Sequence, residues 1–235
     1  LFMSQWLMNY ARQRDPIYFE QNLSRFDFIN NPVLAPMSQN KLELGLPKET
    51  VILGRVGRPD DGIYDDISVK AAQILVAKGY NIHFLVLAPP PRMVQDLSKY
   101  GIPFTSFAPT IDPVFLSRFY NTIDIFAHAR ADGESCSSVL EEACIHSKPS
   151  VTHIAVPSYQ GQGVFQNQCV LIEDGKMGFV VEHHPIKYAE AVEILINDLE
   201  KRIFMGINAK EKAFQEFHVD ICIEKLEKTY FDILK

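Results

Sequence analysis

No stretch of the 235-residue chain holds the roughly 20 consecutive apolar residues that cross a bilayer. A membrane-spanning helix is therefore not expected. No run of Lys and Arg interrupts a chain whose net charge is −6 and whose pI is about 5.6. That balance argues against nucleic acid as a partner. An anionic ligand would have to be met by locally placed arginines, lysines or helix N-termini. The four cysteines, Cys136, Cys144, Cys169 and Cys222, show neither CxxC nor any metal-ligand spacing. They read as reduced, mostly buried thiols of a cytoplasmic protein. Leu1 to Trp6 lack a basic region and a small-residue cleavage site, so they do not read as a signal peptide. Without such a signal, the sequon Asn22-Leu23-Ser24 reads as chance.

What remains is ordinary for a globular protein: 47% of residues are apolar and 22% charged. The length suffices to bury a sizeable core. Strand-like apolar runs alternate with helical patterns. Val51 to Gly54 is a strand ending in glycine, followed by a polar loop and a helix from about Ile67 to Lys78. Asn81 to Leu87 is a second strand, stopped by three prolines from Pro89 to Pro91. A helix over Met93 to Tyr100, a strand over Phe104 to Phe107 and a helix over Asp112 to Asn121 follow. Then come a strand at Ile123 to Ala127, a helix at Ser137 to His146 and strands at Ser150 to Val156 and Gly178 to Val181. Helices from Tyr188 to Leu199, Arg202 to Phe217 and Asp220 to Leu234 close the chain.

Continuous apolar strands separated by helices predict a doubly wound α/β fold, a parallel sheet with helices on both faces. In such folds ligands sit at the carboxyl ends of the strands. We place this Rossmann-like domain at 50–218, with a C-terminal helix at 219–235. Residues 1–30, including a strand over Phe26 to Val33 that runs into a turn, read as the tail of a preceding domain, and 31–49 as a linker.

The loop after Phe126 carries the strongest chemistry. A strand leads into Gly133-Glu134, then the small residues Ser135, Cys136, Ser137 and Ser138, then a helix containing Glu142. Small residues let a ligand approach the backbone, and the free N–H groups of a helix start attract phosphate. Glu134 and Glu142 could each accept hydrogen bonds from sugar hydroxyls. A purely structural reading also fits, because Ser138-x-x-Glu141 has capping-box spacing and acidic residues favour a helix start.

The segment Glu134 to Val151 resembles the two-glutamate motif of retaining glycosyltransferases of GT-B architecture, particularly the large family 4. That motif is Glu, seven residues, Glu, Ala, then a short Pro-containing loop before a strand. Here it is Glu134, Glu142, Ala143 and Lys148-Pro149-Ser150-Val151. Gly54-Arg55, Leu116 to Phe126, Glu173 to Val181, Leu1 to Ser4 and Asn30 to Val33 resemble further family segments in the family's order.

The resemblance implies a donor-binding C-terminal half whose acceptor domain lies N-terminal to it. It implies that Glu142 holds ribose hydroxyls, Glu134 faces the donor sugar, Arg55 contacts the diphosphate, and amides of about Ser135 to Ser138 lie near phosphate and sugar. Phe107 and its neighbours would approach the base. The implied donor is a UDP- or GDP-sugar type of nucleotide sugar, the acceptor a glycan or other hydroxyl compound, and no metal or other cofactor is expected. The family's Lys-Gly pair after Gly-Arg is absent, and Arg58 is the candidate second cation. A non-catalytic nucleotide-sugar-binding module and a nucleotide-sugar epimerase are the alternatives.

Other features read as structural. Gly161-Gln162-Gly163 lacks the third glycine of a dinucleotide fingerprint. His128 and His153 are expected to be packed or hydrogen-bonded, His183-His184 to form a solvated turn, Asp60-Asp61 and Asp65-Asp66 to lie in a surface loop, and Trp6 to pack.

Overall fold

The sheet is all parallel. Its six strands run in the order β3-β2-β1-β4-β5-β6, with β1 Val51–Val56, β2 Ile82–Leu87, β3 Phe104–Phe107, β4 Ile125–Ala127, β5 Ser150–His153 and β6 Gly178–Val181. The computed structural model describes residues 1–22, 27–157 and 164–234, except the side chain of Ile233. The sequon, Phe26 and Gly161-Gln162-Gly163 therefore fall wholly or partly outside the described residues.

The apolar runs become strands because both faces of the sheet are covered. Every residue of β2 is buried, as a central parallel strand requires. On one face, Ile67 and Leu75 of α3 (Ile67–Ala77), Met93 and Leu97 of α4 (Pro91–Lys99) and Tyr188, Val192 and Leu195 of α8 (Pro185–Asn197) form one core. On the other, Phe119 and Tyr120 of α5 (Pro113–Thr122), Leu140 and Ile145 of α6 (Ser138–Ile145) and Ala209 and Ala213 of α9 (Leu199–Glu216) form a second. Each such large side chain, fully buried, contributes roughly 1.5–3 kcal/mol. Pro91, Pro113 and Pro185 each open a helix, where their missing N–H costs nothing.

Some boundaries differ from expectation. β5 ends at His153 rather than Val156. The stretch to Val33 is not a strand: Phe28 bridges Phe2, and Val33 bridges His218. Pro32 has no N–H, so it cannot extend that ladder. A short helix, α7 (Asn167–Leu171), was not expected. The capping box is not formed either. The helix cap is Ser137, without a side-chain bond, so Glu141 lies one residue beyond the position that reaches back.

Residues 1–22 form α1 (Gln5–Arg14) and α2 (Pro16–Gln21). Trp6 packs as expected, stacked on Tyr10 at 5.1 Å and edge-on to Phe165 at 5.7 Å. The last helix is α10 (Val219–Ile233). No helix among the described residues is long and apolar enough to cross a membrane.

Candidate functional site

The chain reverses its winding direction between β1 and β4, so the loops leaving their carboxyl ends splay apart and open a crevice. Into it project Arg55, from the end of β1, and Arg58, from the loop that follows. Opposite lie His128, Arg130 and Glu134 of the loop after β4, then Cys136, Ser137 and Ser138 at the start of α6. Together with Gly57, Ile63 and Val139 they line a hollow of about 220 Å³.

Arg55 is 4% exposed. Its guanidinium meets the carbonyl oxygen of Ala129 at 3.3 Å and the sulfur of Met93 at 3.6 Å. No carboxylate among the described residues lies within ion-pair distance of it. Burial lowers its pKa, opposed by weaker pulls from Tyr64, Tyr188, Asp65 and Glu134. A buried cation without a counter-ion costs several kcal/mol. An anion entering the hollow would remove that penalty. The helix start adds to the attraction, since the first N–H groups of α6 have no intrahelical partner.

The opposite wall is a charged lattice. One Glu134 oxygen is 3.4 Å from His128 Nε2 and the other 3.3 Å from Arg130. Arg130 also donates to Asp132 at 2.9 Å, and His128 Nδ1 meets Thr152 Oγ1 at 2.8 Å. The backbone of this loop is sewn to Phe165 and the first turn of α7. Phe165 N–H donates to Asp132 O, Asn167 N–H to Glu134 O, and Glu134 N–H to the Gln168 side chain, at 2.8–3.0 Å. Gly133 makes that possible. Its φ is +71°, and a Cβ there would collide with the Phe165 carbonyl. Ser4 Oγ donates to the carbonyl of Ser135 at 2.7 Å, so the N-terminal segment braces the same loop.

Arg55, Arg58, Glu134, Cys136, Ser137 and Ser138 are thus brought together as the sequence suggested. Four other candidates are not in this hollow. Gly133 is buried beneath it, and Ser135 turns its carbonyl to Ser4. Phe107 packs edge-on to Phe115 at 5.2 Å and lines neither this hollow nor the next. Glu142 lies in a second hollow of about 210 Å³, walled by Pro32, Val33, Leu34, Pro113, Leu116 and Tyr120. There one carboxylate oxygen accepts from the Tyr120 hydroxyl at 2.7 Å. Burial raises the Glu142 pKa, and the Tyr120 bond opposes it. Residue-by-residue reading missed Arg130 and Tyr120. The spacing of Arg130 to Asp132 and Glu134 within one loop was the available signal for the first.

Two structural expectations need correction. Asp65 is 6% exposed rather than on the surface, and His183 is half-buried and bonded to it at 2.6 Å rather than solvated. The turn after β6 folds inward over the N-terminus of α3, which sequence spacing does not report.

No protein-family model matches the chain. It is 27% identical over 212 residues to the capsular polysaccharide biosynthesis glycosyltransferase CapM of Staphylococcus aureus, covering 85% of this chain and 51% of that protein. The structure superposes on a glycosyltransferase of Rickettsia africae with a TM-score of 0.76 at 14% identity, covering 97% of this chain and 62% of the other. It superposes on Anabaena HepE in complex with UDP-glucose with a TM-score of 0.68 at 17% identity, covering 88% and 57%. The fold is one that GT-B glycosyltransferases use. The chain spans about half the length of CapM.

Proposed function

We propose that this chain is the donor-binding half of a glycosyltransferase that takes a nucleotide sugar and passes its sugar to a glycan or other hydroxyl acceptor. The observation that carries the reading is Arg55: a buried guanidinium without a carboxylate partner, facing the start of α6 across a hollow at the sheet's switch point. Diphosphate supplies the missing charge. Ser138 and Glu142 lie four residues apart on α6, roughly 6 Å along its axis. That spacing suits a diphosphate at the helix start and a ribose beside Glu142, with the base against the apolar wall of the second hollow.

Departure of the sugar leaves growing negative charge on the diphosphate. Arg55, Arg58 and the α6 amides stabilise it, and removing one such donor typically costs on the order of 3 kcal/mol in the transition state. Glu134, held by Arg130 and His128, faces the sugar hydroxyls. These cations do the work without a metal. The one metal-like group among the described residues lies outside the hollow. The spacing of Glu134 and Glu142 supports family 4 and retention of configuration. The resemblance of Leu1 to Ser4 and Asn30 to Val33 to family segments supports an acceptor-binding domain on the N-terminal side. The free thiols support a cytoplasmic setting.

A thermal-shift screen against UDP-, GDP-, ADP-, CMP- and dTDP-sugars tests the reading. A ligand at 100 times its dissociation constant adds about 2.7 kcal/mol of stability. Stabilisation by none of these sugars, or by all of them equally in Arg55→Ala, would sink it. The lack of the family's Lys-Gly pair after Gly54-Arg55 favours a second reading: a module that binds donor without transferring it. Transfer assayed with and without the natural N-terminal extension separates the two.

A further inference from the structure

Three segments meet at the carboxyl edge of the sheet on the far side of Arg130. Asp65 precedes α3, His153 ends β5, and His183 follows the neighbouring strand β6. Their side-chain ligand atoms all lie within 4.8 Å of one another. We propose that Asp65, His153 and His183 form a binding site for a divalent transition ion of the zinc type, separate from the donor hollow.

The groups are arranged as ligands with outer supports. Asp65 Oδ1 accepts the Ile67 N–H at 2.9 Å, which orients the carboxylate and leaves Oδ2 facing His183 Nε2 at 2.6 Å. His153 Nδ1 donates to the Ile154 carbonyl at 3.0 Å, which turns the lone pair of Nε2 inward. A second ring nitrogen committed to a backbone carbonyl is how metal-bound imidazoles are held. The contact made by that Nε2 is a long one, 3.4 Å from the Arg130 N–H. A hydrogen-bonded Asp–His pair accounts for Asp65 and His183. It does not account for a third imidazole packed edge-on to His183 at 4.7 Å with its lone pair so weakly used.

Two imidazoles and one carboxylate select borderline ions such as Zn²⁺ and Co²⁺ over Mg²⁺ or Ca²⁺. Tetrahedral bonds of about 2.0–2.1 Å set ligand atoms roughly 3.3 Å apart, so a shift of an ångström or so closes the site. His183 is the half-buried member and sits on a turn, which lets its ring make that shift. Asp65 and His183 also line a hollow of about 340 Å³ with Tyr64 and Arg92, from which water can complete the coordination. An ion there would tie together the loops after β1, β5 and β6.

The test is a Co²⁺ titration of the full chain stripped with EDTA, read by visible absorption, followed by displacement with Zn²⁺. Expected are saturation at one equivalent with intense tetrahedral bands, loss of the bands on adding Zn²⁺, and a Zn²⁺-dependent rise in melting temperature. His183→Gln keeps a donor for Asp65 and Asp65→Asn keeps the shape. Both should melt cooperatively without metal and show neither bands nor the Zn²⁺ shift. A featureless titration of the parent chain overturns the site. So do bands that persist in folded His183→Gln, which would place the ion on the cysteines or elsewhere. Either result leaves the donor reading untouched.

Discussion

The guanidinium of Arg55 donates to the carbonyl of Ala129 at 3.3 Å, a contact from the carboxyl end of β1 to the first loop residues after β4. It spans the point where the winding of the sheet reverses. The contact orients the cation without neutralising it, so the free chain holds a charge that its own described residues compensate only weakly, from a distance.

That arrangement predicts opposite effects on stability and binding. Arg55→Met, of similar length and apolar, should raise the melting temperature of the free chain, by an amount equivalent to about 1 kcal/mol or more. It should also erase the stabilisation given by a nucleotide sugar. Thermal melts with and without donor check both halves. A variant that melts lower yet keeps its donor shift would contradict the role of Arg55.

Tyr120 should act on donor affinity through Glu142. Its hydroxyl donates to Glu142 at 2.7 Å, with the Val139 carbonyl 3.2 Å from the same oxygen, while its ring is fully buried. Tyr120→Phe keeps the ring and removes the bond, so stability should fall by about 1 kcal/mol. The bond opposes the upward pull of burial on the Glu142 pKa. Without it Glu142 protonates at higher pH, and the pH below which donor binding weakens should move up. Isothermal titration across a pH series reads this directly.

Glu141 predicts the pH dependence of stability. It is 1% exposed, one of its oxygens lacks a partner, and burial, then Glu142 and Glu134, raise its pKa to about 8. In the unfolded chain it titrates near 4.3. Between those values the native state holds a proton that the unfolded state has released, so stability falls as pH rises from about 4.3 to 8. His146 and His153, each lowered by burial to about 4, act oppositely: their contribution grows as pH rises from about 4 to 6.5. The decline should therefore dominate between roughly pH 6.5 and 8. Glu141→Gln should flatten it, gaining most at pH 8. Denaturant melts at several pH values would show it, and a parallel decline in the variant would refute the assignment.

Gly133→Ala should disrupt the site rather than tune it. Any Cβ at φ +71° is strained, and this one meets the Phe165 carbonyl. The strain alone costs roughly 1–3 kcal/mol, and relief requires the loop to part from Phe165 and Asn167. Loss of stability should therefore come with loss of donor binding. By contrast Gly101→Ala, at φ +63° with open space around it, should cost stability alone.

Much of this was legible beforehand. Apolar runs such as Phe84–Leu87 specify a strand buried on both faces, and their alternation with amphipathic helices specifies a parallel sheet. The loop from Gly133 to Ser138 announced itself by its small residues. The capping register at Ser137 did not, because Ser137 and Ser138 both satisfy the local pattern and only the chain's path into the helix chooses between them. Phe107 misled for a related reason. Its place at a strand end is a property of sequence, whereas its turn onto Phe115 is a property of packing.

The order of apolar and polar residues, acting through local backbone preference and burial, determined the layered fold and which loops gather at the carboxyl edge. Tertiary structure decided which charges in those loops face one another. Asp65 meets His183 across 118 positions of chain, and Arg130 shares Glu134 with His128. Such pairings depend on where separate strands end in space, and electrostatic energy depends on distance through space rather than along the chain.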